Sequence, residues 1–373
     1  MNNKIVYLLG AGAMLDFGAP TTKNLTDDYK LIVQNSDYKE IIDILNQTYR
    51  ADYNFETIIA SVEYLMDWAI ARQTIGATAQ YTNVIRAIFE TQIKNIKTET
   101  IASLYKELIN HLINIIMRYD CFIDENQNQL LLKRYFSNVK KEHKVKIYSL
   151  NYDRLIPQMF SNINDGIINA VNRRSQTFSY DINSFAKDKF TYFNLHGSIY
   201  LRQDPYKYNE VVQSFMPEHI EYCIPQDGGS PNDTKIFCPI IAGYSKSQRV
   251  LSEPFHFGFS SFCTDCSDCE KLVIIGYSFS DPHINTILKK YVFEKQKKID
   301  IVTLNDYKIT EDNLTNKMHY IARFLPQPFG AKSNNVTIYT KGLIDYLQMQ
   351  CDKTFCESIL AHLKKLIPFK QIL

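Results

Sequence analysis

The sequence predicts an α/β fold with an open, mostly parallel sheet that is covered by helices on both faces. Short apolar runs, typical of strands buried on both faces, occur near the start of the chain and again in its second half. Helical patterns or long loops separate most of these runs, as in folds with parallel strands. Small and polar residues follow several runs, at the strand ends where such sheets hold their ligands.

The predicted strands begin with residues 5–9, an apolar run that ends at Gly10. Five later runs have the same character, over residues 144–150, 190–195, 271–276, 299–304 and 335–340. Strands that are joined through helices pair in parallel, so we expect these six in one sheet.

Residues 24–142 have a helical pattern, with Gly76 as the only glycine and no proline. The stretches 55–73 and 100–119 repeat apolar residues at spacings of three and four. We therefore divide the chain into a core of residues 1–24 and 143–340, a helical insertion of residues 25–142, and C-terminal helices over residues 341–373.

Composition excludes several classes of protein. The 373 residues are 45% hydrophobic and 22% charged, as in folded proteins. A formal net charge of +2 gives no general attraction for nucleic acid. No stretch approaches the about 18 apolar residues of a membrane span, and the N-terminus lacks the features of a signal sequence. The expected location is the cytoplasm, where the eight cysteines would be thiols.

Small, amide, imidazole and hydroxyl residues follow the predicted strands. They are Gly10, Ala11 and Gly12 after the first strand, Asn151 and Asp153 after the second, His196 after the third, Gly276 and Ser278 after the fourth, and Asn305 after the fifth. Because the carboxyl ends of parallel strands meet at one edge, we expect these loops to form one ligand-binding site. A glycine-rich turn after a strand is typical of phosphate binding through backbone N–H groups, although Leu15 replaces the third glycine of a dinucleotide motif.

These motifs resemble the sirtuin superfamily, and within it the sirtuin-like NAD hydrolases of bacterial antiviral defence. The resemblance rests on Gly10-Ala11-Gly12 with Gly18-Ala19-Pro20, Asn151-Tyr152-Asp153, Leu195-His196-Gly197-Ser198, Gly276-Tyr277-Ser278 and Asn305. It implies a Rossmann-like core that binds NAD as substrate, with no further cofactor required. It also implies that the glycine turn accepts the pyrophosphate, with Ser278 and Asn305 on the phosphate and the adenine-side ribose.

The same resemblance places the nicotinamide ribose over Asn151 and His196. His196 is the candidate base, because imidazole exchanges protons near neutral pH. It would take a proton from water directly or through a ribose hydroxyl. Asn151 would orient the ribose or the water, and Asp153 would anchor the carboxamide or hold Asn151 in place.

Protein-deacylating sirtuins carry a zinc ribbon with two C-x₂-C pairs, and this chain departs from that pattern. Cys223 and Cys238 have no near partners, and the cluster of Cys263, Cys266 and Cys269 falls on a predicted helix. Structural zinc usually needs four convergent ligands. We therefore predict no zinc ribbon and no metal site.

The segment after the fourth strand is predicted to begin a helix. Asp281 has the position of an N-cap and Pro282 the first helical position, while lysines occupy the last turn. His283 falls inside this helix. We interpret Asp281 and His283 as structural residues.

The leading hypothesis is an NAD glycohydrolase that makes ADP-ribose and nicotinamide and depletes NAD in antiphage defence by abortive infection. One alternative is an NAD-dependent protein deacylase or ADP-ribosyl transferase, and another is a non-enzymatic subunit that senses NAD or ADP-ribose. The helical insertion could cover the site or form subunit contacts. The resemblance implies a homo-oligomer that works with a HerA-type ATPase or another defence-operon partner.

Overall fold

In the computed structural model, the described residues are 3–34, 38–41, 43–44, 54–73, 98–172, 175–178, 182–203, 211–214, 217, 240–241, 250–304 and 335–353. The central sheet has six parallel strands. Numbered in chain order with those of the second sheet, they are β1 (Lys4–Leu9), β2 (Lys144–Ser149), β5 (Phe190–Asn194), β8 (Lys271–Ile275), β9 (Lys298–Val302) and β10 (Val336–Tyr339). All six predicted strands are confirmed.

A second, antiparallel sheet was not predicted from the sequence. Its strands are β3 (Ile167–Asn172), β4 (Ser175–Phe178), β6 (Leu201–Gln203) and β7 (Val211–Ser214). They pair in the order β3-β4-β7-β6. Three of these strands, β4, β6 and β7, have four residues or fewer, which is too few for a clear alternation of apolar and polar positions.

The helices α1 to α8 are Thr22–Val33, Phe55–Gln73, Thr98–Met117, Gln127–Glu142, Leu155–Gln158, Ile182–Lys187, Phe255–Asp268 and Pro282–Leu288. A π-helical turn, Lys289–Phe293, continues α8, and a 3₁₀ helix, Ala11–Phe17, follows β1. A last described helix, α9, covers residues 342–353. No described helix has both the length and the apolar character required to cross a membrane.

Helices cover both faces of the central sheet. Val6 and Leu8 of β1 face the core that α6, α7 and α8 complete. Tyr7 and Leu9 face the opposite core, which α4, α9 and the 3₁₀ helix complete. This alternation follows from the two-residue period of a strand, and burial on both faces explains the continuous apolar runs. The predicted fold class, a Rossmann-like α/β fold with a mostly parallel sheet, is confirmed.

The helices α1, α2 and α3 form a hydrophobic core of their own. Tyr29, Ile58 and Leu108 are fully buried within it. Tyr152 and Ile199, from loops beyond the carboxyl ends of β2 and β5, belong to the same cluster. The three helices therefore lie over one end of the sheet, whereas α4 packs on its face.

The strand order reverses at β1. The chain proceeds outward from β1 to β2 and β5 and then returns to β8 on the other side of β1. Neighbouring loops at such a switch point diverge and leave a crevice for ligands. Here the loops after β1 and β8 also contact each other, because Gly10 N–H donates to the Ile275 carbonyl at 2.8 Å and Gly12 N–H to the Gly276 carbonyl at 2.9 Å.

This contact requires glycine at position 276. Its φ is +61°, and a Cβ there would lie 2.1 Å from the Ala13 backbone nitrogen. Gly342 has a similar positive φ of +87°, but the nearest atom to its Cβ would be a Leu304 methyl group at 3.3 Å. A side chain at Gly342 would therefore strain the backbone alone, whereas a side chain at Gly276 would strain the backbone and also clash with the β1 loop.

We expect Gly342→Ala to lower the free energy of unfolding by about 1–2 kcal/mol, the usual cost of a left-handed alanine. Gly276→Ala should lower it further, because the β1 and β8 loops must separate. Urea denaturation followed by circular dichroism measures both values. Equal losses in the two variants would contradict the clash at Gly276.

Candidate active site

A cavity of about 450 Å³ lies at the carboxyl ends of β1 and β8. Seven of the predicted site residues line it: Gly10, Ala11, Gly12, Asn151, His196, Gly276 and Ser278. Asp153 is not part of the lining, and Asn305 lies outside the described residues. The structure thus brings together loops from four of the five predicted strand ends. The volume is in the range of small-molecule sites.

The cavity has one polar side and one apolar side. The polar side comes from the loops of the central sheet, including Ser278 and Ser280, whose hydroxyl oxygens are 2.9 Å apart. The apolar side comes from α1, α2 and α3. Its side chains are Leu25, Phe55, Leu112, Ile115 and Ile116. A ligand here would have its rings against hydrocarbon and its hydroxyl and phosphate groups against the loops.

The glycine turn after β1 differs in detail from the expected phosphate cradle. Gly10 and Gly12 donate their N–H groups to carbonyls at the end of β8, so these two amides are not available to a phosphate. Ala11 contributes the remaining amide of this first turn, and it lines the cavity. Gly10 and Gly12 instead allow the turn after β1 to pack closely against the backbone of Gly276.

Asn151 presents an unsatisfied donor. Its backbone N–H donates to Ser149 Oγ at 3.1 Å, and its carbonyl accepts from Asn194 Nδ2 at 2.8 Å. The residue is 8% exposed, yet its side-chain Nδ2 has no hydrogen-bond partner within the described part of the chain. A buried donor without a partner costs about 1–3 kcal/mol. An acceptor on a bound ligand would remove that cost.

His196 follows β5 and is 2% exposed. The loop turns immediately after it, at Gly197 with a φ of +81°, and the His196 carbonyl accepts from Ile241 N–H at 2.7 Å. On its other side His196 faces α8, where its Nε2 lies 3.2 Å from Nε2 of His283. Only one of the two nitrogens carries the proton in such a contact, and the other offers its lone pair.

Asp281 and His283, interpreted from the sequence as structural residues, lie close to His196. Asp281 does occupy the N-cap position of α8, but its carboxylate makes no capping hydrogen bond and the residue lines the cavity. The ligand atoms of His196, Asp281 and His283 all lie within 4.8 Å of one another. The Asp-Pro pattern predicts only where the helix begins. It does not predict that the β5 loop, with His196, packs against that helix.

Asp153 lies behind the Asn151 turn. It is fully buried, and its Oδ1 accepts from the Leu155 N–H at 3.3 Å. Burial, and after it the neighbouring Asp120 carboxylate, raise the pKa of Asp153 to about 7. Burial also raises the pKa of Asp120, to about 6. Of the two roles expected for Asp153, its position favours holding the turn.

Cys263 and Cys266 lie on α7, which confirms the helix predicted for the cluster, and Cys269 directly follows the last residue of α7. Cys266 and Cys269 are buried in the core beneath the sheet, and Cys269 Sγ donates to the Cys266 carbonyl at 3.4 Å. Burial raises the pKa of Cys269 to about 11, which favours the thiol over the thiolate that metals bind. Cys223 and Cys238 lie outside the described residues.

Residues 145–319 match the model of the SIR2-like domain, a region that includes Asn151, His196, Gly276 and Ser278. No protein of curated function matches the chain by sequence. Among solved structures, one of Sir2Tm bound to a propionylated peptide is 10% identical, with a TM-score of 0.43 over 94% of this chain and 93% of that chain. A Sir2 homolog–NAD complex is 11% identical, with a TM-score of 0.43 over 94% of this chain and 90% of that chain.

The Asp153 carboxyl should make stability depend on pH. Its folded pKa of about 7 exceeds the reference value of 3.8, so folding takes up a proton between about pH 4 and pH 7. The contribution of this group to the free energy of unfolding therefore decreases as pH rises through that window. We expect Asp153→Asn to flatten the pH dependence and to gain stability relative to the wild type at pH 8.

Urea denaturation at half-unit steps of pH measures this dependence. Asp124→Asn is the matched control, because its side chain is 82% exposed. It should leave the slope of the wild type unchanged. An Asp153→Asn slope identical to that of the control would contradict the burial of a titrating carboxyl.

Proposed function

We propose that the protein is an NAD glycohydrolase, which converts NAD and water to ADP-ribose and nicotinamide. One observation carries the proposal: the unsatisfied Asn151 donor and the His196 ring line the same cavity as the turn after β1. The SIR2-like match over residues 145–319 supports an NAD-dependent activity. The substrate would lie across the β1–β8 crevice.

The chemistry needs few protein groups. The nicotinamide ring of NAD is cationic, so it leaves C1′ with the bonding electron pair as a neutral base and needs no general acid. The oxygen of water forms the new bond to C1′, and its proton passes to His196 directly or through a ribose hydroxyl. Proton transfer of this kind contributes typically about 10²–10⁴-fold to the rate.

Asn151 would donate its Nδ2 hydrogen bond to a ribose hydroxyl or to the attacking water. This contact satisfies the buried amide only when substrate is present, so it favours the bound state. Asp153 and Asn194 hold the turn that aims Asn151, since Asn194 Nδ2 donates to the carbonyls of both Asn151 and Asp153.

The apolar side of the cavity supports water as the acceptor. Leu112, Ile115 and Ile116 of α3 line the cavity and offer no polar group to a peptide acceptor. These side chains are nearly fully buried. They also exclude bulk water, which strengthens the hydrogen bonds that the loops make to the substrate.

We expect His196→Ala to lower nicotinamide release by at least about 10²-fold, the low end for loss of a proton-transfer group. Asn151→Ala should lower it by roughly 10-fold, because the substrate loses one hydrogen bond. Release from NAD alone, without an acylated substrate, is measured by chromatography, with and without the product of the neighbouring gene. The control is His256→Ala, because His256 lies on the surface beside Glu253. It should keep the wild-type rate.

The same reactions distinguish the alternatives. Mass spectrometry after incubation with NAD and an acetylated peptide would reveal acyl-ADP-ribose if the protein were a deacylase. Normal NAD binding without turnover by the wild type, under every condition, would support a sensing subunit. A His196→Ala protein that binds NAD and has lost turnover supports the hydrolase.

The resemblance to defence-associated NAD hydrolases extends the proposal to cells. The protein would act in the cytoplasm as a homo-oligomer, with a HerA-type ATPase or another defence-operon partner, and would deplete NAD upon phage infection. Infected cells that express the wild type should lose NAD before lysis, whereas cells that express His196→Ala should keep it. Equal NAD levels in the two cultures would contradict this role.

A further inference from the structure

Two imidazoles and a carboxylate from separate parts of the chain meet beside the cavity. His196 comes from the loop after β5, and Asp281 and His283 come from the start of α8. The two Nε2 atoms are 3.2 Å apart, and each of the three residues has one ligand atom within 4.8 Å of a ligand atom of the other two. The Asp281 carboxylate thus adds an oxygen ligand to the two imidazoles of the pair.

The supporting structure holds these groups in place. The backbone N–H of Asp281 donates to the Tyr277 hydroxyl at 3.2 Å, and the same hydroxyl donates to Asn285 Oδ1 at 2.9 Å. His196 is fixed by its carbonyl bond to Ile241. Ligands that are already oriented lose little conformational entropy on binding.

The spacing of the two rings suits two ligands of one metal ion as well as it suits a hydrogen bond between the rings. With Zn–N bonds of about 2.0–2.1 Å, two nitrogens of a tetrahedral site are separated by about 3.3–3.4 Å. The observed Nε2–Nε2 distance of 3.2 Å is close to that value. Imidazole with a single carboxylate suits Zn²⁺ and its neighbours, whereas Mg²⁺ and Ca²⁺ prefer oxygen ligands.

We propose that His196, His283 and Asp281 bind one divalent ion of the Zn²⁺ class, with an open coordination position toward the cavity, and that this ion inhibits the enzyme. The inhibitory part rests on the proposed NAD hydrolysis, and the binding part does not. A bound ion occupies the Nε2 lone pair of His196, which then cannot accept a proton from water.

Binding also requires a change in the protonation of the pair. Both rings coordinate through Nε2, so the ring that carries its proton there must move it to Nδ1. No net proton is released if both rings stay neutral. The ring–ring hydrogen bond is replaced by two bonds to the metal.

Co²⁺ is the probe for binding, since its spectrum reports both coordination and ligand type. The full-length protein, stripped of metal with a chelator, should bind one Co²⁺ per chain at this site without thiolate charge-transfer absorption. His283→Gln and Asp281→Asn should weaken binding by more than the about 10–100-fold that loss of a supporting contact costs. His256→Gln is the control, since it removes a surface imidazole that is 3.4 Å from a Glu253 carboxylate oxygen.

Zn²⁺ titration of nicotinamide release tests inhibition, with each variant normalised to its own metal-free rate. The wild type and His256→Gln should be inhibited with the affinity measured for binding, and His283→Gln should resist by the same factor as its loss of affinity. Thiolate absorption, or Co²⁺ binding that His283→Gln leaves unchanged, would overturn the site.

Activation by Zn²⁺ would overturn the inhibitory role. Metal binding at the expected residues, together with an absence of NAD hydrolysis under all conditions, would contradict the proposed function and leave the site standing. The two proposals therefore fail separately.

Discussion

The site depends on the contact between two backbone turns, the one after β1 and the one after β8. Gly12 N–H donates to the carbonyl of Gly276, and neither turn has space for a side chain at the point of contact. These turns belong to adjacent strands on either side of the strand-order reversal, where a crevice forms by topology alone. The glycine packing gives that crevice a fixed inner edge, against which the Asn151 and His196 loops are placed.

Buried polar groups around the cavity form two layers with different roles. The inner layer includes Asn151 and His196, whose side chains face the space that a ligand would occupy. The outer layer includes Asp153 and Asn194, which bond to the backbone of the loop. Placing a carboxyl in the outer layer costs stability when it is ionised, as the raised pKa of Asp153 indicates. In return, the buried hydrogen bonds of Asp153 and Asn194 fix the backbone of the Asn151 turn, which an exposed turn would leave free to move.

The sequence predicts the central sheet well because its strands are buried on both faces and so appear as continuous apolar runs. The same argument places Asn151, His196 and Gly276 at one edge, since parallel strands share their direction. The sequence does not predict the antiparallel sheet, because strands such as Leu201–Gln203 are too short to show an alternation of apolar and polar residues. In contrast, residues 55–73, where the sequence has a helical period, form the helix α2.

Two features of the site depend on contacts between distant segments and therefore escape a local pattern. The glycine motif predicts amides aimed at phosphate, but Gly10 and Gly12 direct theirs to β8. The position of His283 follows from α8 packing beside the β5 loop, which no spacing within residues 281–298 reveals. A search for histidines near the carboxyl ends of all the predicted strands would have grouped His283 with His196.

The separate hydrophobic core of α1, α2 and α3 has a consequence for how this architecture diversifies. The apolar side of the cavity belongs to a unit with its own interior, while the reactive groups belong to the sheet. Substitutions on the three helices can therefore reshape the apolar side of the cavity without altering the strands that carry Asn151 and His196. Recognition and chemistry are thus able to evolve on different parts of one chain.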